Sequence, residues 1–329
     1  MKIRQIAFAS PDNRVDSDIV AEWSGLKTDF VVNKIGVESR GFLLEDERPI
    51  DLAISACEKL LAGKDAPKRD AIGLVVLVTQ NPDYRIPHSS ALLQHALRLP
   101  ASTAAFDIGL GCSGYVYALS AAKGMMQAED IENALLVTCD PYSRIMDRTD
   151  RDTIALFGDA ATATWLSREK GGVIGRTDFG TDGAGAENLI VRVGGAAKPL
   201  TGLYHQQGGA ASDRDLRLSM NGRGIFNFMM ERIPSSVERT LSLNKVKPED
   251  VDLFVFHQGS RFLLDQLAGR IGIPSEKVPV NIARHGNTVS SSIPLLLSEL
   301  GQAGKLGGKK VLVSGFGVGL SWATSIIQF

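Results

Sequence analysis

The chain has 329 residues, with 36 basic and 37 acidic side chains, a net charge of −1 and 44% hydrophobic residues. A chain of this length can bury about three quarters of its unfolded surface, so it can build a large core without disulfides or metals. It lacks a basic field for nucleic acid and an apolar run of about 18 residues for a bilayer. We therefore expect neither nucleic acid nor a membrane as a partner. The first residues contain too few consecutive apolar side chains for a signal peptide, so we predict none. Three widely spaced cysteines, Cys57, Cys112 and Cys139, fit no disulfide or zinc framework, which favours a cytoplasmic location.

β-branched runs alternate with helical stretches, a pattern that predicts a sheet with helices packed on it. The stretch over 194–215 is rich in glycine and alanine, has no periodicity, and predicts a long loop or flap. The predicted strands span residues 3–10, 73–80, 103–109, 134–140, 161–166, 189–193, 252–258, 277–282, 309–315 and 321–329. The predicted helices span residues 50–62, 89–97, 113–127, 222–243, 260–271 and 289–301.

These elements form a weak internal repeat of strand, helix, strand, sharp turn, buried helix and strand. The spacing from Cys112 to Val137 is 25 residues, and that from Asn287 to Val313 is 26. The spacing predicts two halves, 1–172 and 173–329, packed about a pseudo-twofold axis. The equivalent turns, which carry Cys112 and Asn287, would then meet near that axis, with His257 close by.

Residues Gly109–Gly114 (GLGCSG) match two motifs at once. One is G-x-G-x-x-G after a strand and before a helix, which is the phosphate-binding turn of dinucleotide enzymes. The acid expected to bind a ribose should end the next strand, but Asp130 precedes that strand, and a lone match is weak evidence. The other motif is a thiol, Cys112, presented at the start of a helix.

The thiol interpretation explains more of this stretch. The helix dipole and the unpaired N–H groups at a helix N-terminus favour the thiolate, which is the reactive form. The small neighbours of Cys112 would let a substrate carbonyl approach closely. A buried structural cysteine remains the simpler alternative.

Two further residues support a chemical role for the turns. His257 follows the apolar run DLFVF, where a polar ring is costly without a partner or a task, although a structural histidine is the more common case. Asn287 lies in RHGNT and could equally be a helix cap. The glycine turn around Gly317–Gly319 could be a simple hairpin or could point N–H groups into a site. Together, a thiol, an imidazole and a carboxamide at matched points of two repeats predict carbon acylation through an acyl-thiol and an enolate.

At this point the sequence resembles the ketoacyl-ACP synthase III (FabH-like) family of the thiolase superfamily. FDIGLGCSGYVYAL, VFHQ, RHGNT with SIP after it, LFGDAATATWL and the closing GFGVGLSWATSIIQF match that family in kind and order over nearly the whole chain. The resemblance implies a five-layered αβαβα fold and a homodimer. It also implies condensation of an acyl-CoA with a malonyl thioester, on acyl carrier protein or CoA, without metal or redox cofactor.

Residue roles follow from the same resemblance. Cys112 would carry the acyl group, while His257 and Asn287 would promote decarboxylation. The backbone N–H groups of Cys112 and of the turn at Gly317 and Val318 would form the oxyanion hole. The resemblance further implies that Phe30, Lys34 and Arg151 bind CoA, and that Ile86 reaches the acyl pocket of the partner subunit.

Several positions depart from the family pattern. Phe30 stands where many members have tryptophan, Lys34 replaces an arginine, and Asn227 replaces a lysine used for carrier docking, although Arg223 and Arg261 are nearby. These departures predict a specialised member. Two alternatives stay open, namely acyl transfer to a hydroxyl or amine and a non-catalytic subunit of a heterodimer. Retention of all three site residues argues against both.

Overall fold

A computed structural model describes residues 1–169, 173–200 and 213–329. The strands are β1 (Lys2–Ala9), β2 (Arg14–Asp16), β3 (Ser39–Gly41), β4 (Leu74–Val78), β5 (Ala104–Ile108), β6 (Asn133–Cys139), β7 (Ala161–Ser167), β8 (Val173–Ile174), β9 (Asp178–Thr181), β10 (Leu189–Ile190), β11 (Ser219–Met220), β12 (Leu253–Phe256), β13 (Lys310–Gly317) and β14 (Ser321–Gln328). The helices are α1 (Ser17–Ser24), α2 (Thr28–Phe30), α3 (Pro49–Leu61), α4 (Ser89–Ala96), α5 (Gly114–Ala128), α6 (Gly222–Asn244), α7 (Arg261–Ile271), α8 (Ile282–His285) and α9 (Ser292–Gln302). A π-helical turn, Val31–Ile35, continues α2.

Two five-stranded sheets organise the molecule, and corresponding strands occupy corresponding places. The first sheet has the order β1-β7-β6-β4-β5, with β6, β4 and β5 parallel and β7 antiparallel between β6 and β1. The second has the order β12-β13-β14-β8, and β9 also pairs with β14. In the second sheet, β12 pairs parallel with β13, and β13 pairs antiparallel with β14. In the first sheet, β4 pairs parallel with β6, and β6 pairs antiparallel with β7, so the two arrangements correspond.

The predicted strand over 277–282 is wrong, and the second sheet therefore has no counterpart of β5 among the described residues. A 3₁₀ turn, Ser275–Lys277, and then α8 occupy this stretch. Pro279 has no N–H to donate to a ladder. The N–H of Asn281 donates instead to the side chain of Gln258 at 3.2 Å. The predicted strand over 189–193 is reduced to the two-residue β10, which pairs with β11.

The helices complete five layers. α5 and α9 lie between the two sheets, where their apolar side chains join those of β4, β6, β12 and β13 in one core. α3 and α4 cover the outer face of the first sheet, and α6 and α7 cover the outer face of the second. The predicted αβαβα arrangement is confirmed. No helix in the described ranges is long and apolar enough to cross a membrane.

Parts of two sequence predictions cannot be compared with the structure. Residues 201–212 of the predicted loop lie outside the described residues, and 213–216 form a short 3₁₀ turn. The predicted boundary at 172 adjoins residues 170–172, which also lie outside them. The strands of the first sheet end at Ser167, and those of the second begin at Val173.

Candidate active site

Cys112 lies in the turn between β5 and α5, one residue before Ser113, the residue that precedes the helix. Two glycines of this turn are required by close packing. A Cβ on Gly111 would lie 2.5 Å from Gln80 Oε1, and one on Gly114 would overlap Val78 Cγ1. Gly109, the first glycine of the fingerprint, would have nothing within 4 Å of an added Cβ. Gly111 and Gly114 are therefore required by the close packing of the turn and of the start of α5.

Strand β13 of the second sheet packs closely against the turn that carries Cys112. A Cβ on Gly315 would lie 2.6 Å from the carbonyl oxygen of Cys112, and one on Gly317 would lie 3.0 Å from its Sγ. Only glycine at these points of β13 lets the second half approach the thiol so closely. The turn that carries the thiol and the strand that faces it are therefore fixed against each other.

The environment of Cys112 does not favour the thiolate in the free protein. Burial raises the pKa of the thiol to about 12, and the charge of Asp140 adds to the increase. Hydrogen bonds from the backbone N–H groups of Cys112 and Val318 lower the pKa by less. The backbone N–H groups do favour the thiolate, as expected, but burial between two sheets outweighs them and the net pKa is raised.

His257 follows β12 directly, and its side chain is buried. Burial lowers the pKa of the imidazole to about 3, while a hydrogen bond with the backbone of Val289 acts in the opposite direction. Its Nδ1 lies 2.7 Å from Ser292 Oγ, at the start of α9. The ring of Phe316 packs edge-on against it, with 5.7 Å between centroids. The imidazole is therefore neutral near pH 7.

Asn287 is held by its backbone and by its side-chain oxygen. Its N–H donates to the carbonyl of Leu156 at 2.8 Å, and its carbonyl accepts from the N–H of Gly158 at 3.0 Å. Its Oδ1 accepts from the N–H of Val289 at 2.9 Å. Because the oxygen is engaged, the two protons of Nδ2 are the ones that remain for a substrate.

These three side chains line one cavity of about 60 Å³. Its other walls are mainly apolar and come from both halves of the chain: Leu156, Phe157, Leu189, Met220, Ile225, Met229, Gly259, Leu263, Leu264, Phe316 and Gly317. A thiol, a neutral imidazole and a carboxamide thus face a common space with mainly apolar walls. The arrangement can hold a thioester beside a nucleophile and donate hydrogen bonds to a developing enolate.

A buried polar network lies behind the thiol. Asp140 is fully buried, and burial raises the pKa of its carboxyl to about 7. Its carboxyl accepts from the N–H of Gln80 at 2.6 Å and from the hydroxyl of Ser290 at 2.5 Å. Tyr142 donates from its hydroxyl to Gln80 Oε1 at 2.7 Å. The network joins the segments that follow β4 and β6 to the turn before α9.

The residues expected to bind CoA lie at the surface. Phe30 is 46% exposed on α2, and Lys34 and Arg151 are also exposed; none of them lines the cavity at Cys112. Ile86 is 87% exposed and does not line the cavity at Cys112. The backbone of Val318 reaches Cys112, whereas Gly317 contributes by leaving room beside Sγ.

Comparison with known proteins decides the family. Residues 106–183 match the model for 3-oxoacyl-[acyl-carrier-protein (ACP)] synthase III, and residues 241–329 match the model for its C-terminal part. The chain is 31% identical over 330 residues to a beta-ketoacyl-[acyl-carrier-protein] synthase III of Streptococcus pyogenes, covering 99% of this chain and 98% of the relative. The chain belongs to the 3-oxoacyl-ACP synthase III family.

Solved structures agree with this membership. A 3-oxoacyl-(acyl-carrier-protein) synthase III crystal structure superposes with a TM-score of 0.93 at 37% identity, covering 100% of this chain and 99% of the other. A 3-oxoacyl-(acyl-carrier protein) synthase of Burkholderia xenovorans gives a TM-score of 0.90 at 38% identity, covering 99% of this chain and 93% of the other. As a member of the 3-oxoacyl-ACP synthase III family, the chain is a condensing acyltransferase with a thiolase fold, and the dinucleotide interpretation of its fingerprint is wrong.

Sequence reasoning missed several residues that shape this synthase site. Ser292 contacts His257, Asp140 accepts a hydrogen bond from Ser290, and Tyr142 is buried in the same cluster as Cys112. The run of serines over 290–292, which ends in the S of SIP, was the available signal for Ser292, because consecutive hydroxyls beside an apolar helix need partners. Nothing local distinguishes Tyr142, since Gln80 is 62 residues away in sequence.

Proposed function

We propose that this protein condenses an acyl-CoA with a malonyl thioester, carried by ACP or CoA, and forms a β-ketoacyl thioester through an acyl group on Cys112. The observation that supports this most directly is the shared cavity lined by Cys112, His257 and Asn287. These residue types can supply a nucleophile and two hydrogen-bond donors, which is what a decarboxylative condensation requires.

In the first step, the sulfur of Cys112 attacks the carbonyl carbon of the acyl-CoA. The new C–S bond forms as the bond to the CoA sulfur breaks, and the proton of the thiol leaves with CoA as its free thiol. The N–H groups of Cys112 and Val318, which lie against Sγ, would hold the oxyanion. Gly317 leaves space for the tetrahedral carbon, since a Cβ there would lie 3.0 Å from the sulfur.

In the second step, a malonyl thioester loses CO₂, and the electron pair of the broken C–C bond forms an enolate. Asn287 Nδ2 and a protonated Nε2 of neutral His257 would donate to the enolate oxygen. A hydroxyl proton of Ser292 donated to Nδ1, at 2.7 Å, would place the single ring proton on Nε2. The enolate carbon attacks the acyl carbonyl, and the Cys112 sulfur leaves and regains a proton. No metal or redox cofactor takes part.

The surface positions support the remaining assignments. Phe30 is exposed and can stack on an adenine, while the cations of Lys34 and Arg151 can pair with phosphates, although lysine lacks the planar fork of arginine. Arg223 and Arg261 are exposed near the cavity and are candidates for a carrier protein's acidic surface. We assign the protein to the cytoplasm, in agreement with its three free thiols.

A homodimer fits the edge of the first sheet. Among the described strands β5 pairs only with β4, and all five of its residues are partly exposed, so its outer edge is free to pair with a second copy. Ile86, at 87% exposure, would then enter the acyl pocket of the partner subunit. The order of strands in the two sheets supports the division into halves 1–172, with the nucleophile, and 173–329, with His257 and Asn287.

Intact-protein mass spectrometry with acyl-CoA, together with CO₂ release from a malonyl thioester, tests this function. We expect an acyl adduct on the wild type and none on Cys112→Ser. The matched control is Cys57→Ser, because Cys57 is equally buried but lies outside the cavity. Asn287→Ala should keep the adduct and lose CO₂ release. An adduct on Cys112→Ser, or normal condensation by Asn287→Ala, would contradict the assigned roles. Acyl transfer to a hydroxyl or amine without CO₂ would favour the alternative transferase.

A further inference from the structure

Asp140 is a buried carboxyl group that the proposed reaction steps do not use. It follows β6 directly, and it is 0% exposed. In the part of the chain that the structure describes, no cation forms an ion pair with it. Burying a carboxylate without a cation is costly unless N–H and O–H groups satisfy its oxygens. The groups that satisfy Asp140 are therefore held firmly by it.

These groups belong to two separate segments of the chain. Asp140 Oδ1 accepts from the backbone N–H of Gln80 at 2.6 Å, in the segment after β4. Its Oδ2 accepts from the hydroxyl of Ser290 at 2.5 Å, and the backbone N–H of Ser290 also donates to the carboxyl. One side chain thus fixes both the hydroxyl and the N–H of Ser290, in the middle of the 3₁₀ turn Val289–Ser291.

The turn that Asp140 holds has a strained backbone. Val289 has a φ of +53°, a left-handed conformation that β-branched residues rarely adopt. Such a conformation persists only where the surrounding contacts impose it. On one side of Val289, the next residue is bound to Asp140. On the other side, the N–H of Val289 donates to Asn287 Oδ1 at 2.9 Å. The carboxyl of Asp140 therefore helps to hold the N–H group that orients Asn287.

Val289 also connects the turn to the second donor of the site. A hydrogen bond joins the imidazole of His257 to the backbone of Val289. The nucleophile is fixed separately, because the turn that carries Cys112 packs against β13 at Gly315 and Gly317. A shift of the turn over 289–291 would therefore displace the hydrogen-bond donors for the enolate more than it would displace the sulfur of Cys112.

Asp140 has a second, electrostatic effect on the site. Burial is the larger cause of the raised pKa of the Cys112 thiol, and the charge of Asp140 adds to it. Burial also raises the pKa of Cys139 and of Tyr142, and the same charge contributes to both. The titratable groups around Asp140 are thus acids whose ionisation its charge opposes. Removing that charge should make the thiolate of Cys112 easier to form.

Resting on the proposed function, we infer that Asp140 is a positioning residue for the decarboxylation step, and that it holds the strained turn over 289–291 so that Asn287 faces the enolate. Asp140 does not line the cavity, so it acts through this turn and not on the substrate. Its charge meanwhile acts against the thiolate of Cys112. Loss of the carboxylate should therefore slow CO₂ release and make the thiol more reactive.

The test compares the full-length wild type with Asp140→Asn, which keeps the shape of the side chain and removes its charge. CO₂ release from a malonyl thioester by the acetylated enzyme should fall about tenfold or more. The reason is that a carboxamide has one acceptor oxygen for the N–H groups of Gln80 and Ser290, whereas the carboxylate has two. Formation of the acetyl adduct, followed by intact mass, should be as fast as in the wild type or faster.

The reactivity of the thiol distinguishes a positioning role from a general loosening of the structure. Methyl methanethiosulfonate should modify Cys112 at least about fivefold faster in Asp140→Asn than in the wild type at pH 8.5, because a repulsive charge is absent. At pH 6 the two rates should agree within about twofold. Burial raises the pKa of Asp140 to about 7, so the wild-type carboxyl is then mostly neutral as well. A loosened structure would instead accelerate modification equally at both pH values.

Two further variants separate the contact from the charge. Ser290→Ala removes the hydroxyl contact and keeps the charge of Asp140, so it should slow CO₂ release about threefold or more and leave thiol modification unchanged. Asp159→Asn is the matched control, because Asp159 is also buried and its pKa is raised to about 6 by burial. Its carboxyl accepts from Leu43 and Ser143 and does not contribute to the raised pKa of the nucleophile. It should change thiol modification by less than about twofold.

The results separate this inference from the proposed function. A folded Asp140→Asn enzyme that releases CO₂ within about threefold of the wild-type rate would overturn the positioning role. Thiol modification that is unchanged at pH 8.5, or accelerated equally at both pH values, would overturn it as well. If Asp140→Asn does not fold, Ser290→Ala decides, and normal CO₂ release by that variant is the contrary result. A wild type that forms no acetyl adduct and releases no CO₂ would contradict the proposed function itself, and the inference with it.

Discussion

Replacing Gly315 by alanine should slow acylation of Cys112 although Gly315 itself touches no substrate. The added Cβ would lie 2.6 Å from the carbonyl oxygen of Cys112 and 2.9 Å from the Cα of Ser113. Both contacts are with backbone, so one side must move by about 0.8 Å to reach an ordinary separation of 3.4 Å. A displacement of about 1 Å at a reacting group can cost about a hundredfold in rate. Overpacking should also destabilise the fold by about 1–3 kcal/mol.

The assay is the rate of acetyl-adduct formation by intact mass, measured well below the melting temperature of each variant. Gly109→Ala is the matched control, because it changes the same residue type in the nucleophile turn with nothing within 4 Å of the new Cβ. We expect the control to acylate normally and to differ in stability by less than about 0.5–1 kcal/mol. If Gly315→Ala is folded and its acylation rate is within about threefold of the wild-type rate, the idea that close packing against β13 fixes the position of Cys112 is refuted.

Three further predictions concern the site. Alkylation of Cys112 by iodoacetamide should accelerate steadily from pH 6 to 10 without a plateau, because burial raises the pKa of its thiol to about 12; a plateau below pH 8 would show a stabilised thiolate. His257 is neutral in the folded protein, with a pKa lowered to about 3 from an unfolded value of 6.5. The unfolded state therefore binds more protons below pH 6.5, and acid should destabilise the wild type relative to His257→Gln by about 1.4 kcal/mol per pH unit, which pH-dependent urea unfolding would detect. Ser292→Ala should slow CO₂ release about five- to tenfold and leave acylation unchanged, because it removes one hydrogen bond to His257; equal losses in both steps would point to a general structural defect instead.

Most strands and helices could be predicted from sequence because their burial follows short-range periodicity. The same reasoning failed at 277–282, where Val278 and Val280 resemble a strand but the chain forms turns around Pro279. Alternation of apolar residues identifies which side chains are buried. It does not show whether the backbone N–H and C=O groups have hydrogen-bond partners on a neighbouring strand. The weak repeat still predicted that the two sheets correspond. The spacing between turns is preserved, although the second sheet has no counterpart of β5 among the described residues.

The site was predictable to the extent that its residues occupy repeated positions. Cys112, His257 and Asn287 each follow or precede an element of the repeat, so their convergence could be expected from topology. The raised pKa of the thiol could not, because it depends on how deeply α5 lies between two sheets. Tyr142 was missed for a related reason. Its position depends on contacts with Gln80 and Phe157, which only the folded chain brings together.

The three consecutive serines at the start of α9, Ser290 to Ser292, also bear on how the protein loses activity in denaturant. Ser290 binds Asp140, Ser291 contacts Thr138 and the carbonyl of Ala160, and Ser292 contacts His257. One short turn is thus tied to both halves, and it also orients Asn287 through the N–H of Val289. Neither half can unfold and leave a working site in the other. Unfolding of either half should therefore abolish activity, so inactivation should coincide with the first unfolding transition that circular dichroism detects.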